Sequence, residues 1–166
     1  MPTKTTREQQ KRWHEIVNDP LLNDLPYKIE TNARGQILLS PHTFQDADAQ
    51  GRLLDLLRTH TDEGRGFPEF PVCTEAGIKQ IEVAWADPDR ISRIRDSGDP
   101  PTVAPNICIE VMSDANDWDE MHEKRALYRE AEAEEVWIVD REKQIRFFRD
   151  EEIDQSDLIP EFPSSL

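Results

Sequence analysis

The chain has 166 residues, with 35 acidic side chains against 20 basic ones and a net charge of −15. This length fits one domain with a real hydrophobic core, and the absence of an apolar run of about eighteen residues excludes a membrane-spanning helix. The polar N-terminal stretch lacks the apolar segment of a signal peptide, so we expect a cytoplasmic protein without a membrane partner.

The first half of the chain predicts two helices and four strands. Residues 5–17 favour a polar helix, and "YKIE", "TNARG" and "QILLS" predict a hairpin whose first strand contains Glu30. "TFQDADAQGRLLDLLRTH" predicts a helix that Thr43 can cap, and "FPVCTE" and "IKQIEVAWA" predict two further strands.

In the second half, strands and helices alternate. A short basic helix, "DPDRISRIR", is followed by a loop, the core strand "NICIEVMSD", a helix over about 117–132, and the strands "EEVWIVD" and "QIRFFRD". This order indicates an α/β fold with a mixed central sheet flanked by helices. We assign residues 1–149 to a single domain and interpret residues 150–166, which are acidic and carry two prolines, as a loosely ordered tail.

Two glutamates interrupt apolar strand patterns. Glu110 lies within "ICIEVM", and Glu82 lies in "IKQIEVAWA", where it alternates with Ile81 and Val83. A buried carboxylate is costly unless it is paired or binds a metal. If the two strands pair, Glu82 and Glu110 can project from the same face of the sheet.

The helix that follows Glu110 carries a lysine on its apolar side. At about 100° per residue, Lys124 falls on one stripe with Met121, Leu127 and Tyr128. Tyr128 is either a core residue or a donor to Glu110. The convergence of two acids and a lysine has two interpretations: a buried salt-bridge network, or a site for a hard cation such as Mg²⁺.

The same residues resemble a known family. "PNICIEVMSDANDWDEMHEKRALYREAEAEEVWIVD", together with "QIEVAWAD", is similar to the Uma-two family of bacterial restriction endonucleases within the PD-(D/E)XK nuclease superfamily. The resemblance extends more weakly through "YKIETNARGQILLSP" and covers about residues 27–148. It implies a restriction-endonuclease-like fold, hydrolysis of nucleic-acid phosphodiester bonds, DNA as the expected partner, and a possible homodimer.

The resemblance also implies a role for individual residues. Glu82 and Glu110 match the two metal-binding acids, the main-chain carbonyl of Val111 matches a further metal ligand, and Glu30 matches an early acid of the site. Lys124 matches the catalytic lysine, which in this family lies on the following helix. The implied cofactor is Mg²⁺ or Mn²⁺.

Two features depart from this pattern. The first acid is a glutamate where the superfamily motif has aspartate, and the strong negative charge is unlike the basic footprint of a duplex binder. The negative charge has two open explanations: it reflects the kind of partner that the protein binds, or it reflects a salt-adapted source. The candidate cationic patch comprises Arg90, Arg93 and Arg95, with Arg146 and Arg149 as further candidates, and its helical spacing fits either a solvated face or a track for phosphates. The alternative function is therefore an acidic interaction module that keeps a nuclease scaffold with weakened catalysis.

Overall fold

The structure is a computed structural model that describes residues 2–166. Its helices are α1 (Thr6–Val17), α2 (Phe44–His60), α3 (Pro88–Asp96) and α4 (Trp118–Glu130). Its strands are β1 (Tyr27–Thr31), β2 (Ile37–Pro41), β3 (Arg65–Thr74), β4 (Gly77–Ala86), β5 (Ile107–Val111), β6 (Glu135–Val139), β7 (Ile145–Phe148) and β8 (Glu152–Ile153).

The helices begin where the sequence supplies a side-chain cap. Thr5 and Glu8 form a reciprocal capping box at α1, and the Thr43 side chain accepts the backbone N–H of Asp46 at α2. Asp87 and Asp117 cap α3 and α4 in the same way. Each cap satisfies an N–H that the first helical turn leaves without an intrahelical partner.

Six strands form one mixed sheet in the order β3-β4-β5-β6-β7-β8. Every neighbouring pair is antiparallel except β5 and β6, which are parallel because α4 carries the chain across the sheet between them. The prediction of a mixed sheet flanked by helices is confirmed. Strands β1 and β2 form a separate antiparallel hairpin.

Each face of the sheet has its own apolar core. Met121 and Tyr128 of α4 pack against one face, with Cys108 and Ile138 from the strands. Leu53 and Leu57 of α2 pack against the other face. The strand residues on that face, such as Ile109 and Trp137, alternate with those that face α4. Alternate residues of β5 and β6 therefore face different helices, so both strands are apolar throughout except at Glu110 and Glu135.

The segment after residue 149 corrects one expectation. We expected a loosely ordered tail over residues 150–166, but Ile159 and Phe162 are buried in the core beneath α2. The fully buried Glu135 carboxylate holds this segment, because it accepts the N–H groups of Asp157 and Leu158 and the Ser156 hydroxyl. The acidic composition of the segment led to the wrong prediction, because only a few apolar residues such as Ile159 and Phe162 hold it to the core. The domain we assigned to residues 1–149 begins at Met1, which lies outside the described residues.

No helix within residues 2–166 is both long and apolar enough to cross a membrane.

Candidate active site

The candidate site lies where β4 and β5 separate. These strands pair only over Val83–Trp85 and Ile107–Ile109, with Val83 opposite Ile109. One position further along, the same register sets Glu82 opposite Glu110. The Glu82 carbonyl accepts the side-chain amide of Gln50 from α2, at 3.0 Å. The sheet therefore opens at the two glutamates that interrupt its apolar pattern.

The β1–β2 hairpin brings a third carboxylate to this opening. The Glu30 side chain accepts the backbone N–H of Gln80 at 2.8 Å, and the Thr31 hydroxyl accepts the N–H of Ile78 at 2.9 Å. Gly77 at the start of β4 has φ +102°, and any side chain there would collide with the Thr31 carbonyl. Only glycine suits this close approach, so the turn between β3 and β4 allows β1 to dock.

Helix α4 covers the opening and contributes a lysine. The Lys124 ammonium lies 3.7 Å from a Glu110 oxygen and 4.0 Å from a Glu30 oxygen. The hydroxyl of the fully buried Tyr128 donates to the other Glu110 oxygen at 2.6 Å. Tyr128 is thus both a core residue and a partner of Glu110. The helical projection placed Lys124 and Tyr128 on this inner side of α4.

A second lysine lies at the centre of the cluster, and the sequence reasoning missed it. The Lys28 ammonium lies 3.5 Å from Glu82, 3.8 Å from Glu110 and 4.0 Å from Glu30. A usable signal was present: Lys28 and Glu30 are two apart on one strand, so they share a face of the hairpin. We define the carboxylate cluster as Glu30, Glu82 and Glu110 with the ammonium groups of Lys28 and Lys124.

Burial and charge act in opposite directions on these groups. Burial alone would raise the pKa of Glu110, but the ammonium groups of Lys124 and Lys28 outweigh it and hold the pKa below its ordinary value. For Glu82, burial prevails over the attraction of Lys28, and the pKa is raised. Burial would lower the pKa of Lys28, but Glu110, Glu30 and Glu82 together hold it above its ordinary value.

The opposite shifts of two neighbouring glutamates predict opposite effects of neutralising them. Because the folded pKa of Glu82 lies above its ordinary value of 4.5, the native state binds more protons than the unfolded state in that window, and stability falls as pH rises through it. Glu82→Gln should therefore leave the free energy of unfolding at pH 7 unchanged or raise it. Any gain in the free energy of unfolding of Glu82→Gln over the native protein should shrink as pH falls to 4.5, because Glu82 itself becomes protonated. Urea denaturation between pH 4 and pH 7 measures it.

Glu110→Gln is the matched control for this experiment. The folded pKa of Glu110 is lowered, so its contribution to stability is present above the ordinary value of 4.5 and is lost as pH falls through the folded value. Neutralising Glu110 should therefore destabilise the protein at pH 7. Equal destabilisation by Glu82→Gln would contradict our account, since it would mean that the attraction of Lys28 exceeds the effect of burial at Glu82.

The main-chain ligand that the resemblance implied adjoins the cluster in sequence. Val111 follows Glu110 at the end of β5, and its side chain packs in the core on the α2 side of the sheet. Within residues 2–166, no three His, Cys, Asp or Glu side chains stand ready to hold a metal ion. In this structure the cation that the three glutamates face is Lys28.

Most of the candidate cationic patch is paired within the protein. Arg90 is buried and donates to the carbonyls of Ala104 and Glu132, and Arg93 pairs with Glu132. Arg146 pairs with Glu152, and Arg149 contacts Glu135 and Asp157. Arg95 is exposed. These arginines chiefly serve internal contacts, so they do not form a continuous track for phosphates.

Two comparisons with known proteins agree with this architecture. A model of the Uma2 family, described as "Putative restriction endonuclease", matches residues 9–163. A solved structure, "a putative nuclease belonging to DUF820 from Anabaena variabilis ATCC 29413", superposes with a TM-score of 0.61 at 15% identity, covering 73% of this chain and 71% of that one. No curated protein matches the sequence. The predicted α/β fold of restriction-endonuclease type is confirmed.

Proposed function

Because the chain belongs to the Uma2 family, we propose that it is a divalent-metal-dependent endonuclease that hydrolyses phosphodiester bonds, with DNA as its substrate. The observation that carries this proposal is the convergence of Glu30, Glu82, Glu110 and Lys124 where the sheet opens. A cytoplasmic location and a homodimeric state belong to the same proposal, and cell fractionation and sedimentation test them.

The chemistry of the donor set fits a hard cation. Glu82, Glu110 and the Val111 carbonyl would hold the ion, with Glu30 close by, and all of these are the oxygen donors that Mg²⁺ and Mn²⁺ prefer. When bound, such an ion polarises the phosphate and lowers the pKa of a water molecule. Glu82 and Glu110 lie just beyond the paired part of the β4–β5 ladder, and Glu30 lies on the hairpin that docks beside them, so all three face one opening.

The remaining side chains position the charged groups. Tyr128 donates to Glu110 from the rigid, fully buried side of α4 and so fixes the orientation of that carboxylate. The backbone of Gln80 does the same for Glu30. Hydrogen bonds of this kind fix the geometry of a site before substrate arrives.

Lys124 has the position of a group that stabilises negative charge. Its side chain is 13% exposed, so it lies at the border between the buried Glu110 and solvent. A phosphate bound beside Glu110 would lie close to this ammonium. There Lys124 would stabilise the charge that develops on the phosphate oxygens during hydrolysis, in surroundings where water screens it little.

One set of observations favours a different function. The net charge is −15, and four of the five candidate phosphate-binding arginines are engaged within the protein. These features suit an acidic interaction module that keeps the nuclease scaffold with weakened catalysis. The two functions differ in whether divalent ions bind and whether phosphodiester bonds are cut.

Replacing Glu82 with aspartate tests the proposed function. We expect the native protein to be slow or to prefer Mn²⁺, and Glu82→Asp to raise cleavage with Mg²⁺. The shorter side chain restores the motif's aspartate, and Mg²⁺ tolerates little displacement from its oxygen distance of about 2.0–2.1 Å. The assay is cleavage of supercoiled plasmid and of single-stranded DNA with each ion, at low and at high salt, because salt screens the repulsion between DNA and an acidic protein.

Glu82→Gln is the control, since it has the original length without the charge and should be inactive with both ions. If neither the native protein nor Glu82→Asp cuts any substrate, and neither binds Mn²⁺ by calorimetry, the endonuclease proposal is wrong and the interaction module replaces it.

A further inference from the structure

Among residues 2–166, Lys28 is the one cation that contacts all three carboxylates of the cluster. Its ammonium lies 3.5–4.0 Å from Glu82, Glu110 and Glu30, while Lys124 contacts only Glu110 and Glu30. Its side chain is 10% exposed, so it is as withdrawn from water as its partners. An ion bound by the same three carboxylates would need the space that this ammonium occupies.

The backbone on both sides of the cluster holds Lys28 in this place. Among the described residues, four hydrogen bonds tie β1 to β4: Gln80 N–H to Glu30, Ile78 N–H to Thr31, the Gln80 side chain to the Ile29 carbonyl, and the Lys79 ammonium to the Thr31 carbonyl. These bonds oppose sliding of β1, so we expect the Lys28 ammonium to leave the centre by rotation of its side chain. Attraction by three carboxylates, which also raises the pKa of Lys28, opposes that rotation.

The formal charges of the cluster leave a deficit that a divalent ion would remove. Three glutamates and two lysines carry a formal sum of minus one. With a divalent ion in place of the Lys28 ammonium, the sum is zero. The carboxylate oxygens lie 3.5–4.0 Å from the Lys28 nitrogen, whereas Mg²⁺ binds its oxygen ligands at roughly 2.0–2.1 Å. A metal ion would thus draw the carboxylates inward once Lys28 had left.

We propose that the Lys28 ammonium is a resident cation that occupies the metal position of the carboxylate cluster, so that a divalent ion binds only by displacing it. This inference rests on the proposed function, because the displaced position is that of the proposed catalytic metal. Without a divalent ion, Lys28 keeps the buried Glu30 and Glu110 and the half-buried Glu82 paired and the fold intact. The affinity for metal is lowered by the free energy needed to remove this internal competitor.

Calorimetric titration with Mn²⁺ tests the competition directly. Lys28→Met removes the competing charge and approximately keeps the volume, so we expect it to bind Mn²⁺ at least about tenfold more tightly than the native protein. Lys79→Met is the matched control: Lys79 is a buried lysine of the neighbouring strand whose ammonium donates to the Thr31 carbonyl. It should change Mn²⁺ affinity much less, because it removes a nearby charge without vacating the cluster.

Lys28→Met leaves the three glutamates short of one cation, so its folding is followed at the same time. Circular dichroism and thermal melting in EDTA and in Mn²⁺ give the second readout. A variant that is unfolded or unstable in EDTA should regain its fold with Mn²⁺, and its melting temperature should rise more than that of the native protein. Failure of Mn²⁺ to restore it would overturn the proposal.

The outcomes separate this inference from the function on which it rests. Equal Mn²⁺ affinity in the native protein, Lys28→Met and Lys79→Met would overturn the resident-cation proposal and leave the metal site intact. Equal gains in Mn²⁺ affinity from Lys28→Met and Lys79→Met would also overturn it, since the loss of any nearby positive charge would then explain the tighter binding. Mn²⁺ binding by neither the native protein nor Lys28→Met would overturn both proposals.

Discussion

Glu110→Gln should abolish cleavage and lower the free energy of unfolding by roughly 3 kcal/mol, the low end of the range for breaking a buried ion pair. The cost lies at the low end because Lys28 and Lys124 both keep Glu30 as a partner. The loss of cleavage follows from the loss of a proposed metal ligand. The uncharged amide also no longer balances two ammonium groups within 4.0 Å. Plasmid cleavage and urea denaturation on one preparation measure both effects.

Glu135→Gln provides the matched control. Glu135 is also a fully buried glutamate of a central strand, but it points to the α2 side of the sheet and binds Trp137, Ser156 and the backbone near residue 157. Its replacement should reduce stability and leave cleavage by the folded protein unchanged. If Glu110→Gln cuts DNA at the native rate, Glu110 has only a structural role.

Lys124→Met should reduce cleavage by about two orders of magnitude or more, in line with the loss of one group that stabilises transition-state charge. Stability should change little. The reason is Lys28, which remains beside Glu110 and Glu30 and keeps both carboxylates paired when the Lys124 ammonium is removed. Methionine also fills most of the volume of the lysine side chain between Met121 and Tyr128.

Lys79→Met is again the control, because it removes a nearby buried lysine whose partner is a backbone carbonyl. It should retain cleavage. A Lys124→Met protein that loses stability but still cuts DNA would assign Lys124 to the ion-pair network alone. Cleavage rates at several Mn²⁺ concentrations distinguish weaker metal binding from slower hydrolysis.

Local periodicity was sufficient to predict much of the cluster. Alternation along β4 and β5 placed Glu82 and Glu110 on one face, and the 3.6-residue period of α4 placed Lys124 and Tyr128 towards it. These predictions needed only one element each and the assumption that the two strands pair. The strand register then determined that Glu82 and Glu110 lie opposite one another.

Contacts between elements distant in sequence were not predictable in the same way. Arg90 was expected on a basic surface, but its guanidinium is buried against carbonyls 14 and 42 residues away. Glu135 of β6 holds the tail after residue 149 by accepting backbone N–H groups from it. The acidic, proline-containing sequence of the tail gives no sign of this contact. Alternation along β1 was enough to place Lys28 on the same face as Glu30. Its contacts with Glu82 on β4 and Glu110 on β5 depend on how the hairpin docks, which the sequence pattern does not give.

Anomalous diffraction from a crystal soaked in Mn²⁺ tests the central claim most directly. We predict an anomalous peak between the carboxylates of Glu82 and Glu110, with the Lys28 ammonium moved away from its position 3.5 Å from Glu82 and 3.8 Å from Glu110. No peak at this position, with Lys28 still paired to all three glutamates at a Mn²⁺ concentration that saturates other sites, would contradict the assignment of this cluster as a metal-dependent active site.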